Sequence, residues 1–205
     1  MKEIKENFNK EFEMTDLGEP KTFLGIDIKR DKERKIIILS QTEYINKMLQ
    51  RFKCNDAHPK RTPMITNQVA NRQRREREEA NDELTLETTC TKTNFPYREA
   101  VGLLLYLANP TRPDISFAVN VLSRHQIDPT EDDWKNVQRV FQYLTKTRDL
   151  CLTFKGELNN LEAYSDASFA DCKNSLSTCG YVIRLFGDSV TWRTHKQSYV
   201  SLSTC

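Results

Sequence analysis

Several features that would assign a class of protein at once are scarce in this sequence. The six cysteines form no Cys-x-x-Cys pair, and neither Cys54 with His58 nor Cys172 with Cys179 has the second pair that a zinc site requires. We therefore expect reduced thiols and no bound zinc. Glycine occurs only 6 times in 205 residues, which favours helix-rich elements.

Long apolar runs and an excess of one charge are also missing. The longest apolar run, Val101–Ala108, is far short of a membrane span, and the charged N-terminal residues do not form a signal peptide. The 31 basic and 29 acidic residues give a formal net charge of +2, so charge alone does not indicate a nucleic-acid partner. We expect a soluble cytoplasmic or nuclear protein without a membrane partner.

The first 64 residues alternate between helical and strand patterns. Ile4, Phe8 and Phe12 lie four residues apart, as on one face of a helix. The runs "TFLGIDIKR" and "IIILS" around a short charged segment predict a β-hairpin. Ser40 and Glu43 match a capping box, which predicts that the helix "TEYINKMLQRF" begins there.

A polar segment over 65–94 separates this part from the rest. Its alternating charges fit either a solvated helix or a flexible tether, and we interpret it as a linker. Three helices are predicted beyond it: one over about 97–108, one from Pro113 with Thr111 as its cap, and one after Thr130, whose acidic first turn suits the helix dipole.

The pattern changes to strands near residue 150. The segments are "CLTFKG", "LEAYSDAS", "CGYVIRLFG" and "SVTWRTH", with "SYVSL" as a further candidate. We expect no helix to cover these strands, so that an open apolar sheet edge would make the chain poorly soluble or dependent on a partner.

A series of segments in one order gives the chain a family resemblance. They are "FEMTDLGEPKTFLGIDIKR", "LSQTEYINKMLQRF", "TPM", "YREAVGLLLYLANPTRPDISFAVNVLSR", and "AYSDASFADC" followed by "STCGYV" and "SVTWRTHKQSYVSLSTC". In this order and spacing the chain resembles the Pol polyprotein of copia-type LTR retrotransposons nearly from end to end. Only 67–93 lacks a counterpart.

The resemblance implies an α+β fold in four parts. Residues 1–64 correspond to the end of a reverse-transcriptase palm with a primer-grip-like hairpin and its following helix, and 65–94 is the charged linker. Residues 95–150 correspond to the helical thumb and connection, and 151–205 to the opening antiparallel strands of an incomplete RNase H-like domain. We expect a chain cut at both ends relative to the parent polyprotein.

The catalytic Tyr-Val-Asp-Asp turn of the family has no counterpart in this chain. Its one Asp-Asp pair, Asp132–Asp133, stands at a predicted helix start, which is the wrong context for a polymerase site. We therefore expect no polymerase activity from this chain alone.

The resemblance also assigns one metal ligand. RNase H hydrolyses the RNA strand of an RNA–DNA hybrid with two Mg²⁺ ions, which need several convergent carboxylates. Asp166 matches the first of these and is the candidate catalytic residue and metal ligand; the alternative is a strand-end aspartate that is only solvated. No Asp or Glu follows Asp188. We therefore expect Mg²⁺ to serve the parent family but not to bind this chain stably, and we interpret Asp171 as a loop carboxylate.

Five further residues are candidates for nucleic-acid binding. Phe23, Leu24 and Gly25 match the hairpin that grips the primer end, where a glycine would let a nucleic-acid backbone approach closely. The alternative is an ordinary buried hairpin. Lys60 and Arg61 in "HPKRTP" are candidates for phosphate contact or are simply solvated.

The helical part adds three residues with two interpretations each. Arg112 of "TRPD" could reach a phosphate or pair with a nearby acid. Trp134 and Tyr143 could stack on bases, but their helical spacing favours core packing.

Three functions are compatible with these residues. The preferred one is a fragment of a retrotransposon RNA-directed DNA polymerase and RNase H that is inactive by itself, whose parent family acts on RNA–DNA hybrid or template-primer. The alternatives are a non-catalytic module that binds such a hybrid or a protein, and a piece that assembles with intact Pol subunits.

Overall fold

The computed structural model describes residues 2–15, 17–65, 95–157 and 159–203. The predicted linker over 65–94 lies outside these residues apart from Ile65. In chain order the elements are α1 Lys2–Glu11, β1 Thr22–Phe23, β2 Ile26–Asp31, β3 Ile36–Ser40, α2 Thr42–Arg51, α3 Tyr97–Ala108, α4 Pro113–Ser123, α5 Glu131–Thr147, β4 Leu152–Phe154, β5 Leu161–Ser168, a 3₁₀ turn Lys173–Ser175, β6 Thr178–Leu185 and β7 Asp188–Lys196.

Two antiparallel sheets and these helices confirm the predicted α+β class. The first sheet has the order β1-β2-β3-β4 and the second the order β5-β6-β7. The hairpin predicted around the charged turn is formed by β2 and β3, with Asp31 opposite Ile36 and Asp27 opposite Ser40.

The hydrophobic core lies among α2, α3, α4 and α5. In each of these helices the buried positions recur every three or four residues, so one face of each helix enters a shared interior. Each fully buried Leu, Ile or Phe contributes about 1.5–3 kcal/mol. The buried side chains of α5 are Asp133, Val137, Val140, Phe141 and Leu144.

Helix α1 is amphipathic but does not join this core. The predicted stripe is present, yet Ile4, Phe8 and Phe12 remain 55%, 51% and 61% exposed. The helix ends at Glu11, one residue before Phe12.

The capping box is found at α5 and not at α2. Asp133 N donates to Thr130 Oγ1, and Thr130 N donates to Asp133 Oδ2, so two orphan donors are satisfied. The box predicted from Ser40 is wrong, because Ser40 ends strand β3 and Gln41 is the N-cap of α2 without a side-chain cap bond.

Helix α4 begins with Pro113 at its first position as predicted, but its cap differs from the expectation. The N-cap is Arg112, and no side-chain cap bond is formed there. The hydroxyl of Thr111, the predicted cap, donates instead to Gln41 Oε1 at 2.6 Å and ties the start of α4 to the start of α2.

The guanidinium of Arg112 is buried and bound at nearly every donor. Its Nε and Nη2 donate to the two carboxylate oxygens of Asp114 at 2.9 and 2.7 Å. Its Nη1 and Nη2 also donate to the carbonyl and hydroxyl of Thr147 at 3.0 and 2.7 Å. Arg112 is 1% exposed and lies over the ring of Tyr143. The structure thus shows the pairing with a nearby acid, which joins the start of α4 to the end of α5.

The aromatic residues with two interpretations also make structural contacts. Trp134 stacks on Phe95 with ring centroids 5.5 Å apart and lies 6.2 Å from Phe52. The Tyr143 hydroxyl donates to Asp114 Oδ2 at 2.8 Å. These contacts correspond to the core-packing alternative.

Strand β4 belongs to the first sheet. The sequence pattern predicts it among the C-terminal strands, but Leu152 and Phe154 pair with Leu39 and Ile37 of β3. The chain therefore returns to the N-terminal hairpin after α5 and only then begins the second sheet at Leu161. The segment "SYVSL" forms no strand, so that prediction is wrong.

The second sheet is partly covered by α4, contrary to our expectation of an uncovered sheet. Asn120 Nδ2 donates to Thr194 O at 3.1 Å, and Arg124 Nη2 donates to Thr178 Oγ1 at 2.9 Å. Trp192 Nε1 donates to the carbonyl of Ala108, the last residue of α3, at 2.9 Å. One sheet face therefore rests on helices of the core. No helix in the described part of the chain could cross a membrane.

The Arg112–Asp114 ion pair makes the stability of the protein depend on pH. Burial alone would raise the pKa of Asp114, but the hydrogen bond and charge of Arg112, with the Tyr143 hydroxyl and a backbone N–H, lower it below the ordinary 3.8. Because the folded protein lowers the pKa of this carboxyl, the pair stabilises the fold fully at any pH above the ordinary pKa of an aspartate. This stabilisation is lost as the pH falls through the lowered pKa.

We predict that Arg112→Met lowers the free energy of unfolding by about 2 kcal/mol at pH 7, because the buried guanidinium that donates to the Asp114 carboxylate and the Thr147 oxygens is lost. Urea denaturation followed by circular dichroism measures this change. The difference from the unsubstituted chain should narrow as the pH falls below the ordinary value of 3.8.

The matched control for this substitution is Arg34→Met. Arg34 pairs with Asp31 at 3.8 Å on the surface, where its side chain is 79% exposed. We expect a change within about 0.5 kcal/mol for the control. Equal effects of the two substitutions would contradict the role of the buried Arg112 guanidinium.

Candidate functional site

A two-residue turn between β1 and β2 presents an exposed apolar tip. Leu24 and Gly25 form the loop, and Phe23 pairs with Ile26 across it. Both loop residues have positive φ, 49° and 73°, as in the turns that suit a tight hairpin. Phe23 is 61% exposed and Leu24 is 71% exposed, so the alternative of an ordinary buried hairpin does not describe this tip.

The backbone of the turn is held from helix α3. A left-handed conformation costs a non-glycine residue about 1–2 kcal/mol, so Leu24 requires support. The Tyr106 hydroxyl supplies it by donating to the carbonyl of Leu24. The Tyr44 ring packs on Tyr106 with centroids 4.9 Å apart, and the Tyr44 hydroxyl donates to Leu103 O at 3.2 Å. Burial, and then the neighbouring Tyr106, raise the pKa of Tyr44 to about 12.

Gly25 has an intramolecular reason for lacking a side chain. A Cβ at this position would lie 3.1 Å from the Tyr106 hydroxyl, and the φ of 73° also disfavours other residues. The group that approaches Gly25 closely in this structure is therefore Tyr106. Sequence reasoning missed Tyr106, because the only local signal is a tyrosine in the otherwise apolar run "LLLYLA".

Two basic side chains lie on a loop held by α5. The Lys60 backbone N–H donates to Gln142 O at 3.2 Å, and Arg139 Nη2 donates to Thr62 Oγ1 at 3.0 Å. The side chains of Lys60 and Arg61 are exposed, and neither forms an ion pair with a described residue. They are available to an anion, whereas the buried Arg112 is committed to Asp114 and Thr147.

Asp166 lies on β5, opposite Gly180 of β6, and is exposed. Its Oδ1 accepts from the backbone N–H of Ala167 at 2.9 Å. The residue lines a cavity of about 310 Å³ between α4 and the second sheet. Asp171, by contrast, accepts from the N–H and hydroxyl of Thr178 at 2.6 and 2.7 Å, and so holds the start of β6.

The residues around Asp166 do not fit a pair of Mg²⁺ ions. Such ions need several carboxylate oxygens, and Asp166 carries the single carboxylate among the residues that line this cavity. In the described parts of the chain, no three His, Cys, Asp or Glu side chains come together as a potential metal site.

The Asp-Asp pair at the start of α5 is occupied by structural contacts. Asp133 is fully buried and forms the capping box with Thr130. Asp132 lies 3.4 Å from the ammonium of Lys135 on the surface. Both carboxylates therefore serve the first turn of the helix.

Comparison with known proteins gives matches over most of the chain. A family model for reverse transcriptase (RNA-dependent DNA polymerase) matches residues 1–66. The Retrovirus-related Pol polyprotein from transposon TNT 1-94 of Nicotiana tabacum is 34% identical over 202 residues, which cover 98% of this chain and 15% of that protein. The corresponding polyprotein from transposon RE2 of Arabidopsis thaliana is 39% identical over 186 residues, 89% of this chain and 12% of that protein.

A third relative is similar in extent to this chain. An uncharacterized mitochondrial protein of Arabidopsis thaliana is 31% identical over 200 residues, which cover 94% of this chain and 74% of that protein. No solved structure matches. Because the polyprotein matches extend over nearly the whole chain and the reverse-transcriptase model covers its first part, the chain belongs to the copia-type retrotransposon Pol polyprotein family.

Proposed function

We propose that this chain is a part of a retrotransposon RNA-directed DNA polymerase that contacts the template-primer and is catalytically inactive by itself. The observation that carries the proposal is the β1–β2 turn, in which exposed Phe23 and Leu24 are presented on a backbone fixed by Tyr106. Backbone strain that is held in place by its surroundings is a feature of functional sites.

Two separate groups of residues support contact with nucleic acid. The aromatic ring of Phe23 suits the face of an unstacked base, and an apolar turn suits the sugar edge. Lys60 and Arg61 supply charge for phosphate oxygens, which position a nucleic acid without reading its sequence. The formal net charge of +2 for the whole chain makes this binding weak.

The carboxylates support the catalytic part of the proposal. Asp132 and Asp133 are engaged at the start of α5, and Asp166 has no second carboxylate beside it in its cavity. We infer that residues 159–203 correspond to the first strands of an RNase H-like sheet. The antiparallel order β5-β6-β7 with Asp166 on β5 supports this inference.

We predict that the purified chain shows neither DNA synthesis on a template-primer nor cleavage of an RNA–DNA hybrid with Mg²⁺ or Mn²⁺. A primer-extension assay and a labelled-hybrid cleavage assay measure the two activities. Turnover that Asp166→Asn abolishes, while Glu162→Gln on the same strand leaves it unchanged, would contradict the prediction.

We predict weak, salt-sensitive binding of an RNA–DNA hybrid. Neutralising two phosphates gives a slope of about −1.4 to −1.8 for log K against log salt concentration. Fluorescence anisotropy at low salt measures the affinity. Substitution of both Lys60 and Arg61 by Gln should remove most of this salt dependence. Substitution of both Phe23 and Leu24 by Ser should instead weaken binding by about tenfold at every salt concentration.

The matched control for the basic pair is substitution of Lys29 and Lys35 by Gln on the exposed part of the β2–β3 hairpin, since neither forms an ion pair with a described residue. These substitutions remove the same charge from another surface. An equal loss of slope in the control, or no anisotropy change with the unsubstituted chain, would refute a defined interface.

A further inference from the structure

The cavity beside Asp166 lies between a helix on one side and a β-sheet on the other. Helix α4 contributes Pro113, Ser116 and Phe117, and the second sheet contributes residues of all three strands, among them Tyr164 and Trp192. Its volume of about 310 Å³ is at the lower end of the range for small-molecule sites. Aromatic rings therefore lie on both sides of a space that a small organic group could enter.

Strand pairing places the Asp166 carboxylate on the face of the sheet that α4 covers. Asp166 is opposite Gly180, and Gly180 is opposite Thr194. Directly opposed residues share a sheet face, and the Thr194 hydroxyl lies 3.5 Å from the Ser116 hydroxyl of α4. Gly180 lies between the carboxylate and this hydroxyl pair, and its lack of a side chain leaves the intervening space open.

The next row of the sheet supplies the aromatic wall. Tyr164 is opposite Val182, which is opposite Trp192, so these side chains share the face of Asp166. The orientation of the indole is fixed, because Trp192 Nε1 donates to Ala108 O at 2.9 Å. Arg193 also lines the cavity, but it follows one residue after Trp192 and its side chain alternates to the other face.

The cavity carries one negative charge that no described cation neutralises. The partner of the Asp166 carboxylate is the adjacent Ala167 N–H, and Asp166 forms no ion pair with a residue in the described ranges. A ligand with a positive charge could pair with this exposed carboxylate. Because a single carboxylate does not suffice for a Mg²⁺ pair and aromatic rings do not ligate Mg²⁺, the lining selects against that ion.

We propose that this cavity binds an organic monocation, a guanidinium or alkylammonium group on a short apolar stem, with Asp166 as its counter-ion and Trp192 and Tyr164 as its aromatic wall. A ring face attracts such a cation, and the apolar lining accepts its stem. The hydroxyls of Ser116 and Thr194 accept the remaining N–H groups. The inference does not rest on the proposed contact with nucleic acid, which involves the β1–β2 turn and the loop with Lys60.

Nuclear magnetic resonance of the ¹⁵N-labelled full chain tests the proposal. The indole N–H signal of Trp192, assigned from Trp192→Phe, reports on the cavity while butylguanidinium is added. We expect a saturable shift. Butylurea, a neutral molecule of nearly the same shape, should give no saturable shift at equal concentration.

Two charge-removing variants locate the site. Asp166→Asn should weaken butylguanidinium binding by about fivefold, because it removes the charge of an exposed carboxylate but keeps the size of the side chain. Glu162→Gln removes a charge from the same strand at a residue that pairs with Arg184 and does not line the cavity. It should change the affinity by about twofold or less. Circular dichroism verifies that both variants fold.

The source of the cation is distinguished by a blocked arginine peptide and the same peptide with citrulline. Binding of the arginine peptide at least as tight as that of butylguanidinium supports a protein side chain as the ligand, and binding of butylguanidinium alone supports a small amine. Equal binding of butylurea, an unchanged affinity in Asp166→Asn, or displacement of the cation by Mg²⁺ beyond that by NaCl of matched ionic strength would overturn the proposal.

Discussion

The ion pair between the buried guanidinium of Arg112 and the partly exposed carboxylate of Asp114 is the interaction on which the rest of this structure depends. It joins the start of α4 to the end of α5 through a planar guanidinium that binds both carboxylate oxygens and Thr147. Helix α4 in turn carries the second sheet through Asn120 and Thr194. The cavity beside Asp166 lies between α4 and that sheet. The distance between its two walls is therefore maintained only while α4 stays in place. A lysine could not replace the fork of Arg112, since it lacks the planar set of donors.

Local signals in the sequence predicted the helices well. Helix α3 matches its predicted bounds, Pro113 starts α4, and the acidic residues after Thr130 start α5. These features depend on residues within one turn of one another, which the sequence displays directly. Ser40 shows the limit of such signals. It satisfies the spacing of a capping box, but its backbone pairs with Asp27 in the first sheet.

Contacts between distant residues were not predictable in the same way. Strand β4 pairs with β3 more than 110 residues earlier, and Tyr106 supports a turn 82 residues away. A single sequence carries no local pattern that reveals which distant residues will be in contact. The family resemblance gave Asp166 and Gly25 their roles in a parent polyprotein, whereas the structure shows their surroundings in this chain: a lone carboxylate in an aromatic cavity, and a glycine beside a tyrosine hydroxyl. The resemblance therefore concerns the roles of these residues in the parent polyprotein, and the structure concerns their contacts in this chain.

Hydrogen exchange followed by mass spectrometry, comparing the unsubstituted chain with Arg112→Lys, tests most directly whether one ion pair organises the molecule. Exchange protection reports the local free energy of opening for each segment. If this ion pair organises the molecule, protection should fall together in α4, in the last turn of α5 and in β7, while α2 changes little. Loss of protection confined to the residues around position 112, with β7 unchanged, would contradict it.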